Sequence, residues 1–306
     1  MADQDISGHF RQLLASARAT LRPLLPKRFR GDIPVVPVVR LSGVIGISTP
    51  LRPGITLAGV ARPLERAFTM RHARAVAIVI NSPGGSPVQS HLVYRRIREL
   101  AEENKKPVLA FAEDVAASGG YMIACAADEI ICDPSSILGS IGVVGGSFGF
   151  AGLLQKLGVE RRLYTSGEHK AMLDPFLPEK PEDVERLKSV QREIHESFID
   201  LVKRSRGPRL TGPEKVLFSG EYWTGGTAIG FGIADAIGDL RSTLRERFGD
   251  KVSTPLISAD RSLFGRSRPG VEMAAAGFDR FLHGAGFAEE AVSALEARAL
   301  WARYGL

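Results

Sequence analysis

A chain of 306 residues with 44% hydrophobic and 24% charged residues has material for a full core and a globular balance, which excludes a fibrous or disordered protein. Its net charge of +6 is concentrated in Arg11, Arg18, Arg22, Lys27, Arg28 and Arg30, with no acid between Ser7 and Gly31, so no basic face for nucleic acid is expected. No stretch approaches the roughly 18 apolar residues of a membrane span, Arg11 and Arg18 interrupt any secretory signal, and Cys125 and Cys132 sit among apolar neighbours as reduced core thiols without metal-ligand spacing, so no metal or cofactor is expected.

Ile6, Phe10, Leu13, Leu14, Ala17, Leu21 and Leu24 recur every three or four residues, which predicts a basic amphipathic helix within residues 1–33. Such a helix suits an anionic membrane surface, the body of the protein or a neighbouring subunit, and all three stay open. The expected location is cytoplasmic, with peripheral contact at the inner face of a membrane through residues 5–30.

Beyond Pro34 and Pro37, strand and helix signals alternate. Strands are expected in Val35–Ile47, along the continuous apolar run Ala75–Ile80, and at Val108–Phe111, Glu129–Cys132, Ile137–Val144 and Arg161–Tyr164. Helices are expected at Val88–Glu103, Ser118–Ala127, Gly149–Leu157, Pro181–Ser205 and Leu240–Phe248, with a further unit running from Tyr222 to Asp235. The alternation predicts an α/β fold with a parallel sheet and crossover helices, forming one domain over residues 34–250. Residues 251–306 read as a linker, Ser- and Pro-rich from 252 to 270, followed by a helical extension with segments at 271–282 and 288–304.

Chemistry is concentrated in four places. Ser118, in Ala116-Ala117-Ser118-Gly119-Gly120-Tyr121, stands where a small-residue turn opens an apolar helix; its hydroxyl needs a base to become a nucleophile. The loop Asn81-Ser82-Pro83-Gly84-Gly85-Ser86 follows a buried strand, and its glycines can turn an amide into a cavity, which makes the amides of Gly85 and Gly119 the candidate oxyanion donors. Lys170, in Ser166-Gly167-Glu168-His169-Lys170, can act as that base if desolvation holds its amine neutral. Ser140, in Leu138-Gly139-Ser140-Ile141-Gly142-Val143, offers a hydroxyl to orient the amine. Taken singly, each has a plainer role: Ser118 as a helix N-cap, the glycine pair as a tight turn, and Lys170 as a solvated surface lysine.

The order of these pieces, together with Trp223-Thr224-Gly225 and Gly232-Ile233-Ala234-Asp235, resembles the signal peptide peptidase A family, including its SohB-type members, from about Val38 to Phe248. The resemblance implies a Clp-protease/crotonase-like fold, a peptidase domain over 34–250, Ser118 as nucleophile, Lys170 as general base, Ser140 as the lysine-orienting serine and Gly85 as oxyanion glycine. It also implies an ATP-independent endopeptidase acting on unfolded peptides such as remnant signal peptides. Its partner would be a second copy of the chain, in a ring-like homo-oligomer whose active site is shared between subunits. The family's usual transmembrane anchor is not found here, and the 252–306 extension matches nothing in the pattern. Competing readings are a histidine-dependent Clp-like peptidase, for which only His169 lies in a candidate segment, a non-catalytic scaffold or membrane-associated assembly protein on the same fold, and a crotonase-like acyl-CoA enzyme.

Overall fold

The computed structural model describes residues 33–46, 54–258, 295 and 298–305; the predicted helices at 5–25 and 271–282 lie outside them. Strands β1 (Val38–Ser42), β2 (Val76–Ser82), β3 (Val108–Ala117), β4 (Glu129–Cys132), β5 (Ile137–Gly139), β6 (Tyr222–Thr224) and β7 (Ala236–Ile237) build one sheet. The helices are α1 (Leu57–Thr69), α2 (Pro87–Asn104), α3 (Gly119–Ala124), α4 (Ala151–Leu157), α5 (Pro181–Arg206), α6 (Glu214–Leu217), α7 (Gly225–Gly230) and α8 (Leu240–Phe248). The main path runs β1-β2-β3-β4-β7 with every pair parallel, while β5 lies beside β3 and pairs antiparallel with β6.

Strand β2 is apolar on both sides because both sides are covered. Val76, Ile78 and Ile80 join Leu64, Phe68, Val93, Ile97 and Tyr121 beneath α1, α2 and α3, while Ala77 and Val79 join Leu109, Phe111, Ile131 and Leu244 on the α8 side. This is the burial expected of a parallel sheet with helices on both faces.

The strand expected at Val108–Phe111 continues to Ala117. Glu113 and Asp114 interrupt its apolar pattern, but Glu113 pairs with Arg40 at the surface and Asp114 accepts a hydrogen bond from Asn81 Nδ2 at 2.6 Å. Asn81 Oδ1 also accepts from the Val115 amide at 3.3 Å, bridging the point where the β2–β3 register shifts. Helix α1 has no counterpart among the sequence expectations, because Pro63 sits in its interior; Thr56 caps it by accepting from Gly59 N, and Leu64, Ala67 and Phe68 anchor it in the core.

Three expectations are corrected. Arg161–Tyr164 forms no strand, since no strand among the described residues offers it a ladder. The strand expected over Ile137–Val144 ends at Gly139, where positive φ at Gly139 and Ser140 turns the chain away. Residues 253–257 are not a free linker: Val36 N donates to Ser253 O at 2.8 Å and Ile257 N to Val38 O at 2.8 Å, and Ile257 is buried, so the packed body continues past residue 250. Both cysteines are free and buried, and burial pushes Cys125 up to about 12 and Cys132 up to about 11.

The sheet's far edge is tied to α5 by a buried ion pair. Arg206, with 1% of its side chain exposed, donates from Nη1 and Nη2 to the two Asp235 oxygens at 2.8 Å each, and from Nε to Gly232 O at 2.9 Å. Asp235 also accepts from Ile130 N at 2.7 Å. Burial alone would raise the Asp235 carboxyl, but the Arg206 guanidinium and the Ile130 amide outweigh it and hold it below the usual carboxylate range. The pair's contribution is therefore fully present above about pH 4 and lost as pH falls through the lowered folded-state value. Replacing Asp235→Ala leaves Arg206 buried and unpaired, and denaturant unfolding should show a loss of about 3–5 kcal/mol near neutral pH, with a weaker acid dependence than the parent.

Candidate active site

Ser118 sits between β3 and α3 with φ 51° and ψ −121°, a conformation that side-chain-bearing residues rarely adopt. The turn keeps its hydroxyl from capping α3, and it makes no hydrogen bond among the described residues. The N-cap role is thus not taken up. The residue is half-buried, and its backbone is held at both ends: Ser118 N donates to Gly139 O at 2.8 Å, and Met122 N to Ser118 O at 2.9 Å.

Parallel pairing ends at Ala117 with Gly139, so Ser118 and Ser140 each stand one residue beyond the last paired position. Ser140 also has positive φ, is 4% exposed, and its amide donates to Glu221 O at 2.6 Å. Its hydroxyl has no partner among the described residues. The Trp223 ring lies directly against Gly139, where a Cβ would come within 2.6 Å of it. Trp223 therefore fixes the turn that presents Ser140.

The loop 82–86 packs onto the Ser118 turn from the other side. A Cβ on Gly84 would stand 2.7 Å from Ser118 Cβ and 2.9 Å from Gly119 N, and one on Gly120 would stand 2.6 Å from Ser82 O. Gly85 has φ 140° and lies against Ile45, which its own Cβ would meet at 2.1 Å from the carbonyl oxygen. Neither the Gly85 nor the Gly119 amide donates to any acceptor among the described residues. Ser118 thus carries a free hydroxyl, and two amides are free near its turn: that of the next residue, Gly119, and that of Gly85 in the loop packed on the turn through Gly84. Sequence reasoning picked out Gly85 and Gly119 but not the spacing role of Gly84 or the bridging role of Asn81; Asn81 could be found only by recognising that a polar residue closes a buried apolar strand.

Beside these loops, a groove of about 280 Å³ is lined by Pro87, Val88, His91, Met122, Phe198 and Leu201, among others. It opens one turn along α2 from Gly85 and one turn along α3 from Ser118. Its lining is largely apolar.

Lys170 is not brought to Ser118 within the chain. It is exposed, its amide donates to Gly167 O at 3.2 Å, and its ammonium group has no partner among the described residues. His169 is exposed as well. Both belong to a segment without a core of its own: α4 buries no residue, and Val144, Phe148, Leu153, Leu157, Val159 and Tyr164 are each more than half exposed.

The description "Peptidase family S49" matches residues 101–249, a span that holds Ser118, Ser140 and Lys170. A putative protease of Synechocystis sp. is 31% identical over 200 residues, covering 63% of this chain and 70% of that protein. The chain belongs to the S49, or signal peptide peptidase A, family. The chloroplastic serine protease SPPA of Arabidopsis thaliana is 35% identical, covering 67% of this chain and 31% of that protein. A Brucella abortus protein named Na(+)/H(+) antiporter NhaA is 56% identical over 94% of this chain, which spans 39% of that longer protein. Among the described residues of this S49 member no helix is long and apolar enough to cross a membrane.

The glycine requirement can be measured directly. Gly85→Ala places a methyl group into the Ile45 backbone at a positive φ, and chemical denaturation should show a loss of about 3 kcal/mol, whereas Gly226→Ala, which meets nothing within 4 Å, should be close to neutral.

Proposed function

We propose that the protein is an ATP-independent serine endopeptidase in which Ser118 is the nucleophile and Lys170 the general base. The observation that carries this reading is the uncapped Ser118 hydroxyl, held in a strained turn on which the loop carrying Gly85 packs, with the amides of Gly85 and Gly119 both free. Lys170 Nζ takes the proton from Ser118 Oγ as the oxygen attacks the peptide carbonyl carbon, and the two amides donate to the resulting oxyanion. Collapse breaks the C–N bond, and the lysine ammonium returns the proton to the leaving amine. Water then gives a proton to Lys170 as it attacks the acyl ester, and collapse breaks the bond to Ser118 Oγ, which takes that proton back from the lysine. The free hydroxyl of Ser140, adjacent to Ser118, receives and orients the lysine amine.

A base must be neutral, which for a lysine takes removal from water. The missing desolvation is best supplied by a second copy of the chain covering the apolar strip from Val144 to Tyr164. Lys170 of one subunit would then enter the Ser118 site of its neighbour, giving a ring-like homo-oligomer with shared sites. The groove beside Ser118 suits an apolar side chain of an extended, unfolded peptide, such as a remnant signal peptide.

Ser118→Ala and Lys170→Ala should each abolish cleavage of an unfolded peptide. Mixing the two inactive variants and allowing subunit exchange should restore turnover, because some interfaces then join an intact Ser118 to an intact Lys170. A mixture that stays inactive while exchanging subunits would contradict the shared site. Failure of a fluorophosphonate probe to label Ser118 in the assembled wild type would favour the non-catalytic scaffold.

A further inference from the structure

Residues 298–305 pack against the site from the side opposite the groove. Tyr304 is 7% exposed and, with Trp301 beside it, covers Val115, Ala117 and Ile137 at the end of the sheet. Val115 and Ala117 project to this side, whereas the intervening Ala116 belongs to the core beneath α2 and α3, together with the groove residue Met122. Neither Trp301 nor Tyr304 lines the groove.

Each contact of Tyr304 falls beside a different element of the proposed machinery. Ala117 immediately precedes Ser118. Pro83, whose carbonyl accepts from the Tyr304 hydroxyl at 3.5 Å, belongs to the loop that carries Gly85. Tyr222, whose ring meets that of Tyr304 edge-on with centroids 5.0 Å apart, pairs through its strand with Gly139, the residue before Ser140. Tyr222 secures the segment in return, its hydroxyl donating to Arg303 O at 3.1 Å.

We propose that Tyr304 is a positioning residue: its ring clamps the Pro83 loop, the Ala117–Ser118 turn and the strand pair leading to Ser140 into one register, while the groove stays free for substrate. The ring is the working part, because the bond from its hydroxyl is long and contributes little. The proposal rests on the peptidase reading, since misplacing a nucleophile by about 1 Å can cost on the order of 100-fold in rate.

The test compares Tyr304→Ala and Tyr304→Phe with the wild type, measuring kcat and KM on an unfolded peptide and amide hydrogen exchange by mass spectrometry. Tyr304→Ala should lower kcat by about 10- to 100-fold with KM unchanged, and exchange should speed up in residues 81–86 and 115–121 but not in 57–69. Tyr304→Phe, which keeps the ring, should restore both readouts. A rise in kcat on Tyr304→Ala would mean that the segment obstructs substrate, and unchanged exchange in 81–86 and 115–121 would mean that it does not hold the site; either overturns the proposal. If the wild type proves inactive, the peptidase reading fails, and the exchange data still decide whether Tyr304 clamps these loops.

Discussion

The close approach of two loops carries the rest of the structure. Loop 82–86 and the turn 117–120 pack so tightly that a Cβ at Gly84 or Gly120 would fall within 3 Å of a heavy atom of the other. Removing those side chains lets the loop that carries Gly85 close onto the Ser118 turn, and the parallel sheet holds both at the carboxyl ends of β2 and β3. Connecting helices leave a parallel sheet at that end, which is where open α/β sheets bind their ligands. Positive φ at Ser118 and Ser140 is the local strain, sustained by the buried core beneath both turns.

The same chain is complete on one side of Ser118 and bare on the other. The turns of Ser118 and Ser140 and the loop carrying Gly85 are held by contacts within one molecule. The segment carrying Lys170 instead displays Phe148, Leu157 and Tyr164 to solvent, uncovered by any of the described residues. An apolar surface of this kind marks an interaction site. On the proposed reading, catalytic competence and self-assembly are linked through one lysine.

Much of the fold was legible because burial on both faces of a parallel sheet leaves continuous apolar runs. Glu129–Cys132 and Leu240–Phe248 are read at the bounds the structure gives. Helix α1 escaped because an interior Pro63 reads as a breaker, although packing of Leu64 and Phe68 overrides it. The latter half of β3 was hidden by Glu113 and Asp114, whose partners Arg40 and Asn81 are distant in sequence. For the site, the glycines and Ser118 were legible as a motif, but the absence of capping by Ser118 depends on backbone torsions that no spacing reveals. The contact of Tyr304 with Ala117 joins residues far apart in the chain and leaves no local signature.

The central claim is that Ser118 reacts only where a second subunit supplies Lys170. The most direct measurement is the rate of fluorophosphonate labelling at Ser118 as a function of protein concentration, followed alongside the oligomeric state by analytical ultracentrifugation. The account predicts that labelling tracks the assembled fraction and vanishes on dilution to monomer. A monomer that labels as fast as the assembly would contradict it.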